Sequence, residues 1–445
     1  MVRIKSWLPY IEDEFQHSRR TNIKRKTGLI TWGSLPIVIL ALIQGIPLDG
    51  KIASRELIFA EQIFERTQAS STSLGFESSV IPSLVLGGIY LFAVLILIRS
   101  YRSLVVIVLK HYWPLLLQIL FMGVSLVWAV YAAKVALNVA HSVGVIAISL
   151  VTAIHFRYEP RRLLSVLGIA LGINIFLHLF VVFISPDIGM TNDGRWAGLF
   201  SNSNSFGAIA YCAVWANTAA VIFTRKLLRL SHVVILCIAA IALIGSGSIT
   251  SVFSTIFSLG ILLSLKGSFR RNVFTFSLIA FLLSFAIVIY ELFSSQGILE
   301  LIGRTSDLTG RTFIWAEGLN AFLKKPFFGW GFDDKAYVNQ ITGMVHPGYH
   351  NGYLDLAVQG GVVTLVLFVA FIIIGIRAIL RTQNSPRSSV SSIYLSFILS
   401  VLLYNISEVS FFASRNFMWA MLLTILFLAA IPSMRLRSPA LNITS

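Results

Sequence analysis

Residues 358–380 read VQGGVVTLVLFVAFIIIGIRAIL, with Arg377 as the only charged residue. About 20 apolar residues in helical form cross the hydrocarbon core of a bilayer, and only a helix satisfies every backbone group of an isolated segment there. This run predicts a transmembrane helix. Eleven more apolar runs fall at about 29–47, 79–98, 112–131, 135–155, 163–184, 204–223, 233–245, 249–265, 273–292, 390–408 and 415–432. Composition agrees. Hydrophobic residues make up 56% of the chain, charged residues 12%, and the mean hydropathy is +0.81, whereas roughly a quarter of a soluble globule is charged. The expected fold is all-α, a polytopic integral membrane protein of about twelve spans forming one membrane domain over 1–445.

The formal charge of +16 is explained by topology rather than by nucleic acid. Basic residues accumulate on the cytoplasmic side of membrane proteins, most clearly in short loops. With twelve spans, 24 of the 35 Lys and Arg fall on the side of the N-terminus and 11 on the other. Arg157, Arg161, Arg162, Arg225, Lys226, Arg229, Lys266, Arg270 and Arg271 mark the inner side. Both termini are then cytoplasmic, with residues 1–28 a cytoplasmic segment. The loops at about 185–203 and 293–356 face outward, into the periplasm of a Gram-negative cell.

The run 233–265 is interrupted by Ser246, Gly247, Ser248, Thr250 and Ser251. Both flanking loops are basic, so the charge rule favours two short helices joined by a tight turn near the outer surface. The hydroxyls there either cap helix ends or line a polar pocket, capping being the plainer reading. The first 28 residues are too long and polar for a signal-peptide leader, and no small-residue cleavage site follows, so the first span is expected to stay as an anchor. Cys212 and Cys237 fall within spans, and no disulfide is expected.

The chemistry-bearing residues lie in the outward loops. Gly194-Arg195-Trp196 leads into Asn202-Ser203-Asn204-Ser205, small polar residues of the kind that cap a helix. Arg195 is not explained by capping; a headgroup anchor is its plainer role. In the large loop, Thr309-Gly310-Arg311-Thr312-Phe313-Ile314-Trp315 precedes apolar residues at 315, 319, 322 and 323, one face of an amphipathic helix lying on the membrane and closed by Lys324, Lys325 and Pro326. Arg311 is expected just before that helix, where backbone N–H groups favour an anion and a guanidinium suits a phosphate. His346-Pro347-Gly348-Tyr349-His350-Asn351-Gly352-Tyr353-Leu354-Asp355-Leu356 opens the next span. His350 is expected in the first helical turn, where the dipole favours neutral imidazole, able to accept a proton. A histidine merely hydrogen-bonded at the interface is the plainer alternative.

Taken together, G-R-x-x-G-x-F-x-N-x-N at 194–204, T-G-R-T-x-I-W at 309–315 and H-N-G-Y-L-D-L at 350–356 resemble the family of O-antigen ligases and O-antigen or exopolysaccharide polymerases. The likeness extends to the topology, with one enlarged loop before the tenth span. It implies glycosyl transfer at the outer surface of the bacterial inner membrane, from a polyprenyl-diphosphate-linked oligosaccharide, with no metal, nucleotide sugar or other cofactor. By resemblance, Arg195 and Arg311 clamp the diphosphate and His350 stands near the acceptor hydroxyl. Arg304, Asn202, Asn204, Trp315, His346, Asn351 and Asp355 would surround the substrate, although for Arg304 a loop salt bridge is the plainer reading. The acceptor is a second lipid-linked glycan for a polymerase or a lipid A core for a ligase, and the motif forms are closer to the polymerases. A chain-length regulator protein is a further implied partner.

Two other classes stay open. A lipid-linked sugar transporter or flippase would use ionisable groups inside the spans, for which His141, His178 and Asn138 are the candidates. A metal-dependent hydrolase would rest on Asp333, Asp334, His346, His350 and Asp355, whose spacing matches no metal-ligand motif.

Overall fold

The computed structural model describes residues 31–46, 80–224, 226–264, 307–332, 348–381, 388–413 and 416–435. The described residues form helices and connecting turns, with no named strand. In chain order the helices are α1 (Leu35–Leu42), α2 (Val80–Ser100), α3 (Arg102–His111), α4 (Trp113–Val124), α5 (Ala132–His155), α6 (Pro160–Ile184), α7 (Ser203–Phe223), α8 (Lys226–Ser246), α9 (Ile249–Ser264), α10 (Asp307–Lys324), α11 (Gly352–Arg381), α12 (Ser388–Tyr404) and α13 (Phe417–Arg435).

Five of these, α5, α6, α7, α8 and α11, are long and apolar enough to cross a membrane. The number becomes six if α2 and α3, bent by 105° at Tyr101, count as one span, and four further apolar helices are shorter. Twelve full spans are therefore not reached among the described residues. The run expected at 273–292 lies outside them, α1 has 8 residues, and α4 has 12 before a 3-10 turn at Ser125–Val127. The helix expected at 233–245 starts earlier, at Lys226.

Helix α13 is the axis of the core, with Phe417 to Ile431 buried throughout. Polar side chains tie its neighbours to its backbone: Ser149 of α5 donates to Ala420 O (2.9 Å) and Tyr112 to Leu426 O (2.6 Å). Between α7 and α12, Trp215 donates to Ser396 Oγ at 3.0 Å. Interhelical bonds of this kind contribute on the order of 0.6 kcal/mol each in a bilayer, so packing of the large buried aromatics carries most of the association.

Helix α11 is broken at Gly361, whose backbone is left-handed (φ +65). The break is filled by the segment after α10. Trp330 N and Gly331 N donate to Val358 O and Gln359 O, and Val362 N donates to Pro326 O. Irregular backbone is tolerated in such a protein where its groups find partners. A Cβ at Gly361 would lie 2.2 Å from Phe327 O, so only glycine permits this approach.

The site-bearing connections gather at one end of the bundle: the link from α6 to α7, the turn between α8 and α9, the start of α11 and the end of α12. The basic residues Arg161 and Arg229 belong to the other end, where Arg161 lies over Phe223 and Arg229 donates to Thr224 O.

Candidate active site

Arg195 is held by a loop folded back on itself. Met190 and Trp196 form an isolated antiparallel bridge, and Ala197 N and Gly198 N both donate to Gly189 O at 2.9 Å. Trp196 N donates to Gly245 O (2.9 Å), which seats the loop on the end of α8. The guanidinium then donates through Nε to Ser246 O (3.3 Å) and through one terminal nitrogen to Asn204 Oδ1 (3.0 Å) and Ser203 Oγ. Asp193 Oδ2 stands 3.7 Å away. Partial burial pushes the Asp193 carboxyl upward, but the Thr191 hydroxyl and then the Arg195 charge outweigh it and hold the group below the usual carboxylate range.

Asn204 continues the chain of contacts. Its oxygen accepts from Arg195 and its amide nitrogen donates to Glu408 Oε1 at 2.8 Å. The same oxygen accepts from an Arg311 terminal nitrogen at 2.8 Å, while Glu408 Oε2 lies 3.5 Å from His350 Nδ1. Arg195, Arg311 and His350, far apart in the chain, thus converge on one amide and one carboxylate. The Arg311, Glu408 and Arg195 side chains are 15%, 10% and 19% exposed, and His350 is 41% exposed. The arginines and the carboxylate form the largely buried part of this cluster, the recess, and the imidazole is its more exposed part.

Glu408 was absent from the sequence-based site, being read as the last residue of a span. An ionisable residue inside an expected span is itself a functional signal, and that signal was there to be used. Its turn is locked by Asn405, whose Oδ1 accepts from Ser410 N (2.7 Å) and Phe411 N (3.3 Å) and whose Nδ2 donates to Val401 O (2.8 Å) and Ser410 Oγ (2.7 Å). Gly352 N donates to both Asn405 O (2.8 Å) and Glu408 O (3.0 Å). A Cβ on Gly352 would lie 2.4 Å from Asn405 Oδ1, so glycine is required for α11 to start against this turn.

Two expected positions are corrected. Arg311 lies inside α10, which begins at Asp307, and not before the helix. The inward face of α10 carries Arg311, Ile314, Gly318 and Ala321, with Trp315 and Phe322 against the same small core of Trp330, Tyr349 and Val358. Phe313, Leu319 and Leu323 point outward instead. Of the apolar face expected for the membrane, Trp315 and Phe322 therefore turn toward the protein, because docking on α11 outweighs the alternative surface. His350 likewise precedes the first turn of α11. Asn351 is the N-cap, its Oδ1 accepting from Tyr353 N and Leu354 N at 3.0 Å. His350 has left-handed backbone (φ +48), a conformation that is uncommon outside glycine and clusters at functional sites.

Around these groups, Trp315 Nε1 donates to Tyr349 O at 2.9 Å and Asp355 Oδ1 accepts from Tyr349 N at 3.5 Å, both bracing the loop that bears His350. Asn202 caps α7 through Ser205 N at 2.8 Å. Arg304 and His346 lie outside the described residues. The hydroxyls at 246–251 do cap: Ser248 Oγ accepts from Ser251 N and Ser246 Oγ from Ser248 N. The Ser246 carbonyl of the same turn also holds Arg195, so the turn is part of the recess as well. In the hydrolase constellation, Asp333, Asp334 and His346 lie outside the described residues, and His350 and Asp355 make separate contacts. The transport candidates face packing partners, His141 with the Tyr90 hydroxyl (3.3 Å) and His178 with Gln44 O and Leu199 N.

The structure is thus a helical bundle with membrane-span candidates that gathers two arginines, a carboxylate and an imidazole at one end. Among known proteins, residues 232–369 match the O-antigen ligase family model. The match includes Arg311 and His350; Arg195, Asn204 and Glu408 lie outside it. The exopolysaccharide production protein ExoQ of Rhizobium meliloti is 24% identical over 177 residues, 34% of this chain. The chain spans 40% of that relative's length. Both findings support the O-antigen ligase and polymerase family indicated by the motifs.

Proposed function

We propose that the protein is a membrane glycosyltransferase joining polyprenyl-diphosphate-linked oligosaccharide repeat units into a surface polysaccharide at the periplasmic face of the bacterial inner membrane. The observation that carries this reading is the convergence of Arg195, Arg311 and His350 on Asn204 and Glu408, at the end of the bundle away from Arg161 and Arg229. The orientation follows from the positive-inside rule.

In this reading the donor diphosphate enters between the two guanidinium groups. Arg311 binds it while Glu408 keeps the side chain from swinging away. Arg195 is held in place by Ser246 O and Asn204. As the anomeric C–O bond breaks, charge grows on the leaving diphosphate, and cations already fixed in place stabilise that charge with little reorganisation. His350, the more exposed group, takes the proton of the acceptor hydroxyl as the new glycosidic bond forms. Glu408 behind it stabilises the imidazolium produced, the orienting role a carboxylate plays behind a catalytic histidine.

The relative named as an exopolysaccharide production protein is in line with polymer formation, while the matched family description, O-antigen ligase, is in line with ligation. Deleting the gene separates them: cells accumulating single repeats on the carrier lipid indicate a polymerase, and long glycan with an uncapped lipid core indicates a ligase. Unchanged envelope glycans would contradict both.

A further inference from the structure

The loop that carries Arg195 is joined to the rest of the bundle by a buried histidine that the site itself does not use. His178 lies near the C-terminal end of α6 and is fully buried. Its Nδ1 accepts from Leu199 N at 3.0 Å, four residues beyond Arg195. A ring nitrogen that accepts an N–H carries no proton, so the proton resides on Nε2, which donates to Gln44 O at 2.9 Å. One turn earlier on α6, Asn174 donates to Leu42 O and Gln44 O, both at 3.0 Å. The unpaired carbonyls at the end of α1 are thus closed by α6, and the imidazole transmits that anchor to the loop. Packing limits the ring to this place: Phe200 lies 4.6 Å from it centroid to centroid, and Gly198 is left-handed (φ +56), with room for no Cβ (2.6 Å from His178 Cβ).

We infer that His178 is a positioning residue for Arg195, holding the donor-binding loop at the depth where its guanidinium meets Asn204. This rests on the reading that Arg195 contacts the donor diphosphate. Ring protonation would abolish the acceptor at Nδ1, so the bond requires the neutral tautomer described.

Three substitutions separate this role from plain packing. His178→Asn places an amide oxygen near the Nδ1 position and keeps an acceptor for Leu199 N. His178→Gln reaches toward Gln44 O and gives that acceptor up, and His178→Phe keeps the ring without either bond. Each polar variant retains one of two bonds, so thermal stability should fall similarly in both. With the full-length protein in proteoliposomes and the carrier-lipid-linked repeat isolated from the producing cell, His178→Gln and His178→Phe should raise KM for the donor roughly tenfold, the loss of about one neutral hydrogen bond. His178→Asn should stay within about twofold, with acceptor KM unmoved throughout. Amide exchange over residues 196–201 should rise in the same two variants, a reading that needs no substrate. Equal behaviour of the Asn and Gln variants, or faster exchange without a change in donor KM, would overturn the assignment. A wild type that transfers nothing while exchange follows the expected order would sink the function reading instead.

Discussion

Glu408 shares one carboxylate among Arg311, Asn204 and His350, with only 10% of its side chain exposed. Removing one member of a largely buried ion pair leaves the other uncompensated, at a cost of about 3 kcal/mol. Glu408→Ala should therefore lower thermal stability in detergent by an amount of that order and abolish transfer, whereas Glu408→Gln, which keeps an acceptor for Asn204 and Arg311 but not the charge, should recover only part of the stability and little of the activity. Equal activity in Glu408→Gln and wild type would show that charge behind His350 is irrelevant. At His350 the left-handed backbone carries strain of about 1 kcal/mol that glycine lacks. His350→Gly should melt higher than His350→Ala, with both inactive; identical melting would argue against strain. Arg311→Lys should lose roughly tenfold or more in transfer rate, since an ammonium cannot reproduce a planar fork, and full activity would reduce the site to generic positive charge. Arg195, Arg311 and His350 stood out in the sequence because polar groups are conspicuous beside apolar runs. Glu408 did not, because it closes a run whose apolarity dominated the reading, and no spacing rule links it to residues 58 and 97 positions earlier.

Among the elements, α10 and the break in α11 depend on each other. Residues 326–331 fill the carbonyl and amide vacancies opened at Gly361, and this contact fixes the helix that bears Arg311. Gly361→Ala must place a Cβ against Phe327 O in a left-handed conformation, so it should destabilise the protein by more than 1 kcal/mol and reduce activity without touching the recess. Wild-type melting in that variant would contradict the mutual dependence. Helix periodicity located the amphipathic segment near its true place but joined two faces in one: Leu319 and Leu323 point outward, while Trp315 and Phe322 turn toward the protein. Apolar residues occur on both faces of α10, and only the docking on Tyr349 and Val358 determines that Trp315 and Phe322 turn inward.

Across the protein, the spans that hydropathy reads well are those with long apolar runs, α5, α6, α7 and α11. It reads poorly where a helix turns aside, as at the 105° bend between α2 and α3, because composition does not encode direction. The orientation of the bundle is testable without any substrate. In a variant lacking native thiols, a cysteine at exposed Ser201 should react with a membrane-impermeant maleimide in intact spheroplasts, and one at exposed Glu159, between α5 and α6, only after lysis. The reverse pattern would put the recess in the cytoplasm. The decisive measurement is reconstitution of the purified protein with carrier-lipid-linked repeat units, comparing wild type with Arg195→Ala, Arg311→Ala and His350→Ala at equal insertion. The convergence of these residues predicts polymer and released polyprenyl diphosphate from wild type and neither from the three variants; normal product from any one of them would contradict it.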